Sequence, residues 1–113
     1  MFMVRYPVVK IITAPANNTA KYELFTVPSA RSYKARKFMI HFPTGSNYTM
    51  YVSIYRGEEQ VFPKQGTITG DNVLWDFDVE LEFDGNSVVY VKITNTDTEN
   101  QHSIVVYMDG ELV

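Results

Sequence analysis

Asp76, Asp78, Glu80, Glu82 and Asp84 occupy every second position of the segment DFDVELEFD. Carboxylates hold hard cations, exchange protons in general acid–base work, or pair with Lys and Arg. A period of two belongs to a β-strand, whose successive side chains point to opposite faces. The acids therefore share one face, while Val73, Trp75, Phe77, Val79, Leu81 and Phe83 share the other. At about 3.4 Å per residue, neighbouring acids stand about 7 Å apart. Calcium needs roughly six to eight oxygens converging at about 2.3–2.6 Å, so a straight row of carboxylates is a poor metal site. Repulsion within the row is about 0.6 kcal/mol per adjacent pair in water. Burial of each apolar partner contributes about 1.5–3 kcal/mol. The apolar row thus fixes the strand, with Trp75 as a core residue, and the acid row can be carried without a bound ligand, facing solvent or a partner.

The basic counterpart is ARSYKARKFMIHF. Phe38, Ile40 and Phe42 alternate inward and leave Lys37, Met39 and His41 on the opposite face, with Lys34 and Arg36 at the strand entry beside Arg31. Residues 1–37 hold seven bases against Glu23 alone, a surplus of +6. Residues 38–113 hold three bases against twelve acids, −9, and the two parts give the net charge of −3. A chain divided in this way neutralises itself across the fold or presents opposite charges to neighbouring copies. Arg31, Lys34, Arg36 and Lys37 are expected to approach Asp76, Asp78, Glu80 or Glu82, within one subunit or between two. Tyr33 among these bases raises nucleic-acid binding by ring stacking. A pI near 5.3 and the acid row argue against that partner.

The elements that must position these rows are strands. Runs rich in Val, Ile, Tyr, Phe and Thr cover 3–12, 20–27, 35–42, 48–56, 59–62, 73–84, 87–95 and 102–109. Breaks such as APANN, PTGSN, DGN and NTDTENQ carry the Gly, Pro, Asn and Asp that turns require. Eight strands in 113 residues predict one all-β domain over 1–113, a two-sheet antiparallel sandwich of jelly-roll-like or immunoglobulin-like topology. DGN is expected to close a hairpin that sets Phe83 opposite Val89, Leu81 opposite Val91 and Val79 opposite Ile93. Glu80 would then face Lys92 and Glu82 would face Tyr90.

Other apparent sites weaken. Asn95, Asp97 and Glu99 alternate in NTDTENQH, but the glycine and distant Glu of a helical calcium loop are absent, so the segment reads as a polar hairpin loop. His41 and His102 are the only histidines and there is no cysteine, which leaves no His-Cys or three-His metal set. Ser103 beside His102 lies on the opposite face of a strand, poor geometry for proton transfer. No catalytic, cofactor or metal residue is assigned. The N-terminal MFMVRYPVVKII lacks the layout of a secretory signal, and no apolar run is long enough to span a bilayer. Eight tyrosines invite a glycan-stacking reading, with Tyr51 and Tyr55 sharing an outward face. Outward tyrosines serve equally as cross-strand packing or a protein interface.

In its strand pattern, size and lack of cysteine the whole chain resembles small β-sandwich proteins that build or decorate virus and phage capsids or other assemblies. That resemblance implies a structural, oligomer-forming protein, in a virion or a surface assembly, and carries over no site residue. The expected function is therefore non-enzymatic, a homo-oligomer or assembly subunit whose interaction candidates are the bases, tyrosines and acids named above. The alternative is a carbohydrate-binding module.

Overall fold

Pro7 interrupts the first apolar run because it has no backbone N–H to give to a ladder. In the computed structural model, which describes residues 3–113, that run forms two short strands in place of one. They are β1 (Val4–Arg5) and β2 (Val8–Ala14), both paired with the last strand. The others are β3 (Asn18–Thr26), β4 (Tyr33–Phe42), β5 (Met50–Arg56), β6 (Glu59–Phe62), β7 (Val73–Phe83), β8 (Val88–Asn95) and β9 (His102–Leu112). No helix among the described residues is long and apolar enough to cross a membrane.

The pairings are nested along the chain: β2 with β9, β3 with β8, β4 with β7 and β5 with β6, all antiparallel. Folding this long ribbon over itself adds the pairs β4 with β9 and β5 with β8. The result is a five-stranded sheet, in which β1 and β2 share one edge, then β9, β4 and β7, and a four-stranded sheet ordered β3, β8, β5, β6. The topology is that of a jelly roll, not of an immunoglobulin sandwich.

The inner rows of the two sheets supply the core. Phe38, Ile40 and Phe42 on β4 and Ile104, Val106 and Met108 on β9 face Val52 and Ile54 on β5 and Val89, Val91 and Ile93 on β8, all fully buried. Gly110 lies where a Cβ would strike the Lys34 carbonyl and the Tyr33 ring. Tyr33 passes beneath it to donate its hydroxyl to the Tyr6 carbonyl at 2.6 Å.

Three expectations are overturned here. DGN does not close a hairpin: β7 lies in the five-stranded sheet beside β4, and β8 lies in the other sheet between β3 and β5. The turn carries the chain across the sandwich edge, with Asn86 at φ 68° and its amide donating to the Val27 carbonyl at 2.9 Å. The same correction applies to NTDTENQ, which links β8 to β9 in different sheets. Trp75 is not a core residue. β7 is an edge strand, and opposite it β6 ends at Phe62, whose ring meets Phe77 at 5.1 Å. Beyond that point the 63–72 connection meets β7, and Trp75 is 41% exposed, stacked on Phe77 and donating Nε1 to the Thr69 carbonyl at 3.0 Å.

Candidate functional site

The acid row heads outward from β7, and its neighbour β4 presents Lys37, Met39 and His41 in the same direction. Between Ala35 and Lys37 the single residue Arg36 stands against both Val79 and Glu80, an irregularity that shifts the register so that Lys37 lies opposite Asp78. Its Nζ reaches Asp76 Oδ1 at 3.1 Å and Asp78 at 3.8 Å. The bond to Asp76, foremost, raises the Lys37 pKa above its ordinary value. The other three bases have different company. Lys34 is the backbone partner of Glu82 but forms no ion pair with it. Arg36 turns to Glu111 at 3.8 Å, and Arg31 donates Nε to the Val113 carbonyl at 3.2 Å. Glu80 and Glu82 have no ion-pair partner among the described residues.

Lys37 also stands opposite Asp109 on β9, and Arg5 grips that carboxylate in two bonds, Nε to Oδ1 at 3.2 Å and Nη2 to Oδ2 at 2.9 Å. The Arg5 bond holds the Asp109 carboxyl below its ordinary range. Arg5, Asp109, Lys37 and Asp78 thus form one charged row of alternating sign across the outer face of the five-stranded sheet. Arg5 and Asp109 were not singled out from the sequence, because 104 residues separate them.

Beside the charged row the same face is apolar. Ile11, Val105, His41 and Leu74 align across β2, β9, β4 and β7, and Val9, Tyr107, Met39 and Asp76 form the row between. One signal for this face stood in the sequence. VVKII is apolar in both phases of the strand alternation, which is the mark of a strand covered on both sides.

The outer face of the four-stranded sheet differs. Thr19, Thr94 and Tyr51 form one row, Lys21, Lys92 and Ser53 the next, and Glu23, Tyr90 and Tyr55 a third. Lys21 Nζ lies 4.3 Å from the centre of the Tyr55 ring and Lys92 Nζ 5.7 Å, so lysines cover the ring that a sugar would use.

Two loop carboxylates act as clamps. Asp71 Oδ1 accepts the amides of Asn47 at 2.8 Å and Gly45 at 2.9 Å, joining the 43–49 and 70–72 connections. Asp97 accepts the amides of Glu99 and Asn100 and meets His102 Nε2 at 2.8 Å. The Glu99 amide, followed by His102, holds the Asp97 carboxyl well below the usual range. Its oxygens are thereby committed to the loop. Ser103 bonds Thr13 at 2.7 Å, on the face away from His102.

No protein-family model matches this sequence, and no curated protein does. Among solved structures, the chain is similar to one from "Acidic stable capsid structure of Helicobacter pylori bacteriophage KHP30", with a TM-score of 0.58 and 14% identity over 99% of this chain and 97% of that one. It is similar to one from "Cyanophage Pam1 capsid asymmetric unit", with a TM-score of 0.56 and 11% identity over 96% and 85%. A third is from "Bacillus endospore appendages form a novel family of disulfide-linked pili", with a TM-score of 0.54 and 17% identity over 98% and 89%. At these identities the likeness is one of fold, and the resemblance to capsid-type sandwiches read from the strand pattern holds at that level.

Proposed function

We propose that the chain is a non-enzymatic structural subunit that assembles through faces of its sandwich into a larger protein body, of the virion-shell or surface-appendage kind. The observation that carries this reading is the fold likeness to capsid and appendage proteins over nearly the full length of both chains. The endospore appendages are disulfide-linked pili, and a chain without cysteine would have to cohere by packing and charge instead. The polar groups that meet in this molecule support the same reading, since they are engaged in ion pairs and loop clamps. The carbohydrate-binding alternative is disfavoured by the lysines over Tyr55.

Sedimentation of the native chain over a concentration series, with electron microscopy of the densest samples, tests the proposal. Mass should rise with concentration and discrete assemblies should form. A monomer at high concentration and low salt that also retained a glycan on an array would overturn the proposal in favour of a binding module.

A further inference from the structure

The outer face of the five-stranded sheet exposes large apolar side chains. Ile11 is 71% exposed, Val9 59% and Leu74 52%. Single exposed apolar residues are ordinary, but these run on through Val105, Met39 and Tyr107 across four strands. All of these but Ile11, with Arg5, Lys37 and Asp109 of the charged row, border a depression of about 450 Å³. A sheet that faced only water on this side would alternate apolar-in and polar-out, as the other sheet does.

We propose that this face binds a second copy of the same chain, face to face, about a two-fold axis that lies in the interface and runs parallel to the strands. The proposal deepens the assembly reading and rests on it. Such an axis reverses the order of the strands while keeping each position along them, so β2 of one copy lies over β7 of the other, and β9 over β4. The apolar row then sets Ile11 on Leu74 of the partner subunit and Val105 on the partner's His41.

The charged row decides the occupant. Arg5 stands opposite Glu111 in the ladder, but its guanidinium reaches back to Asp109, so read from β1 to β7 the side-chain charges along this row are plus, minus, plus, minus: Arg5, Asp109, Lys37, Asp78. Reversed and stacked on itself, it opposes every charge with its opposite. Arg5 meets the partner's Asp78, and Asp109 meets the partner's Lys37, each twice by symmetry. An in-plane two-fold perpendicular to the strands and through the middle of this face would lay the charged row over the apolar rows. In the middle row Val9 lies opposite the partner's Asp76, whose carboxylate is drawn aside to Lys37 at 3.1 Å. Self-complementarity of sign and of apolar position is what an isologous contact requires, and this face supplies both.

The test is a mixing experiment. Lys37→Glu sets two like negative pairs in the self-contact, and Asp109→Lys sets two like positive pairs. Each variant alone should therefore self-associate more than about tenfold more weakly than the native chain, which corresponds to about 1.4 kcal/mol. Combined in equal amounts, the two variants oppose opposite signs at all four positions, so the mixture should associate where its components do not. Recovery in the mixture also shows that both variants are folded. Variants that associate like the native chain, or a mixture no tighter than its components while each variant melts like the native chain, would overturn the assignment of this face. A native chain that stays monomeric throughout would instead overturn the assembly reading on which it rests.

Discussion

On the four-stranded sheet, each outward row carries groups that satisfy one another or water. Thr19 bonds Thr94 at 3.0 Å, Lys21 covers the Tyr55 ring, and Tyr55 reaches Gln60. On the five-stranded sheet, one outward row is ionic, and Val9, Ile11 and Leu74 in the rows beside it stand in solvent. Both sheets turn an apolar inner row to the common core, through Phe38, Ile40, Phe42, Ile104, Val106 and Met108 on one side and Val52, Ile54, Val89, Val91 and Ile93 on the other, so the core does not distinguish the outer faces. The difference lies only in residues that the isolated sandwich does not need. A second apolar surface beyond the core therefore points to a contact made after folding.

The largest expected effect lies on the inner row. Ile40→Ala should lower stability by about 2–5 kcal/mol, since the buried methyl groups leave a cavity at the centre of the five-stranded sheet. Denaturant unfolding measures it, and a change under about 1 kcal/mol would blur the contrast between inner and outer rows. Trp75→Ala, at the exposed end of β7, should cost only about 1–2 kcal/mol by the same measurement, because its stacking on Phe77 and its bond to Thr69 are lost without opening the core.

Acid should act on the ionic row. The Asp109 carboxyl lies below its ordinary value when folded, so its contribution is present above about pH 4 and is lost as pH falls through the lower folded value. Melting temperature should drop on acidification in that range, and Asp109→Asn should make the drop shallower. The smallest effect on folding belongs to the outer apolar row. Ile11→Thr should leave stability within about 0.5 kcal/mol of native. It should nonetheless weaken self-association measured by sedimentation.

Much of the architecture was legible in the strand alternation. Phe38, Ile40 and Phe42 on β4 and Val89, Val91 and Ile93 on β8 face inward as their period of two predicts. What alternation cannot convey is which strand lies alongside. The hairpin expected at DGN kept both faces of β7 and β8 coherent, yet the true partner of β7 is β4, where Tyr33 pairs with Phe83 and Phe42 with Val73. The same blindness placed Trp75 in the core, because a central strand and an edge strand share one periodicity. The charge division was informative about Lys37 and silent about its fellows. The irregularity at Arg36 sends that side chain to Glu111, and Arg31 turns to the chain end. The outer apolar face could have been read from VVKII, but its rows assemble only once β2, β9, β4 and β7 are set side by side.

The most direct measurement compares the two outer faces in one sample. Hydroxyl-radical footprinting across a concentration series reports Met39 and Tyr107 on the five-stranded sheet and Tyr51, Tyr55 and Tyr90 on the four-stranded sheet. Protection of Met39 and Tyr107 that grows with concentration, while the three tyrosines of the other face react unchanged, is the predicted result. Protection of Tyr51, Tyr55 and Tyr90 with Met39 and Tyr107 left reactive would contradict the account.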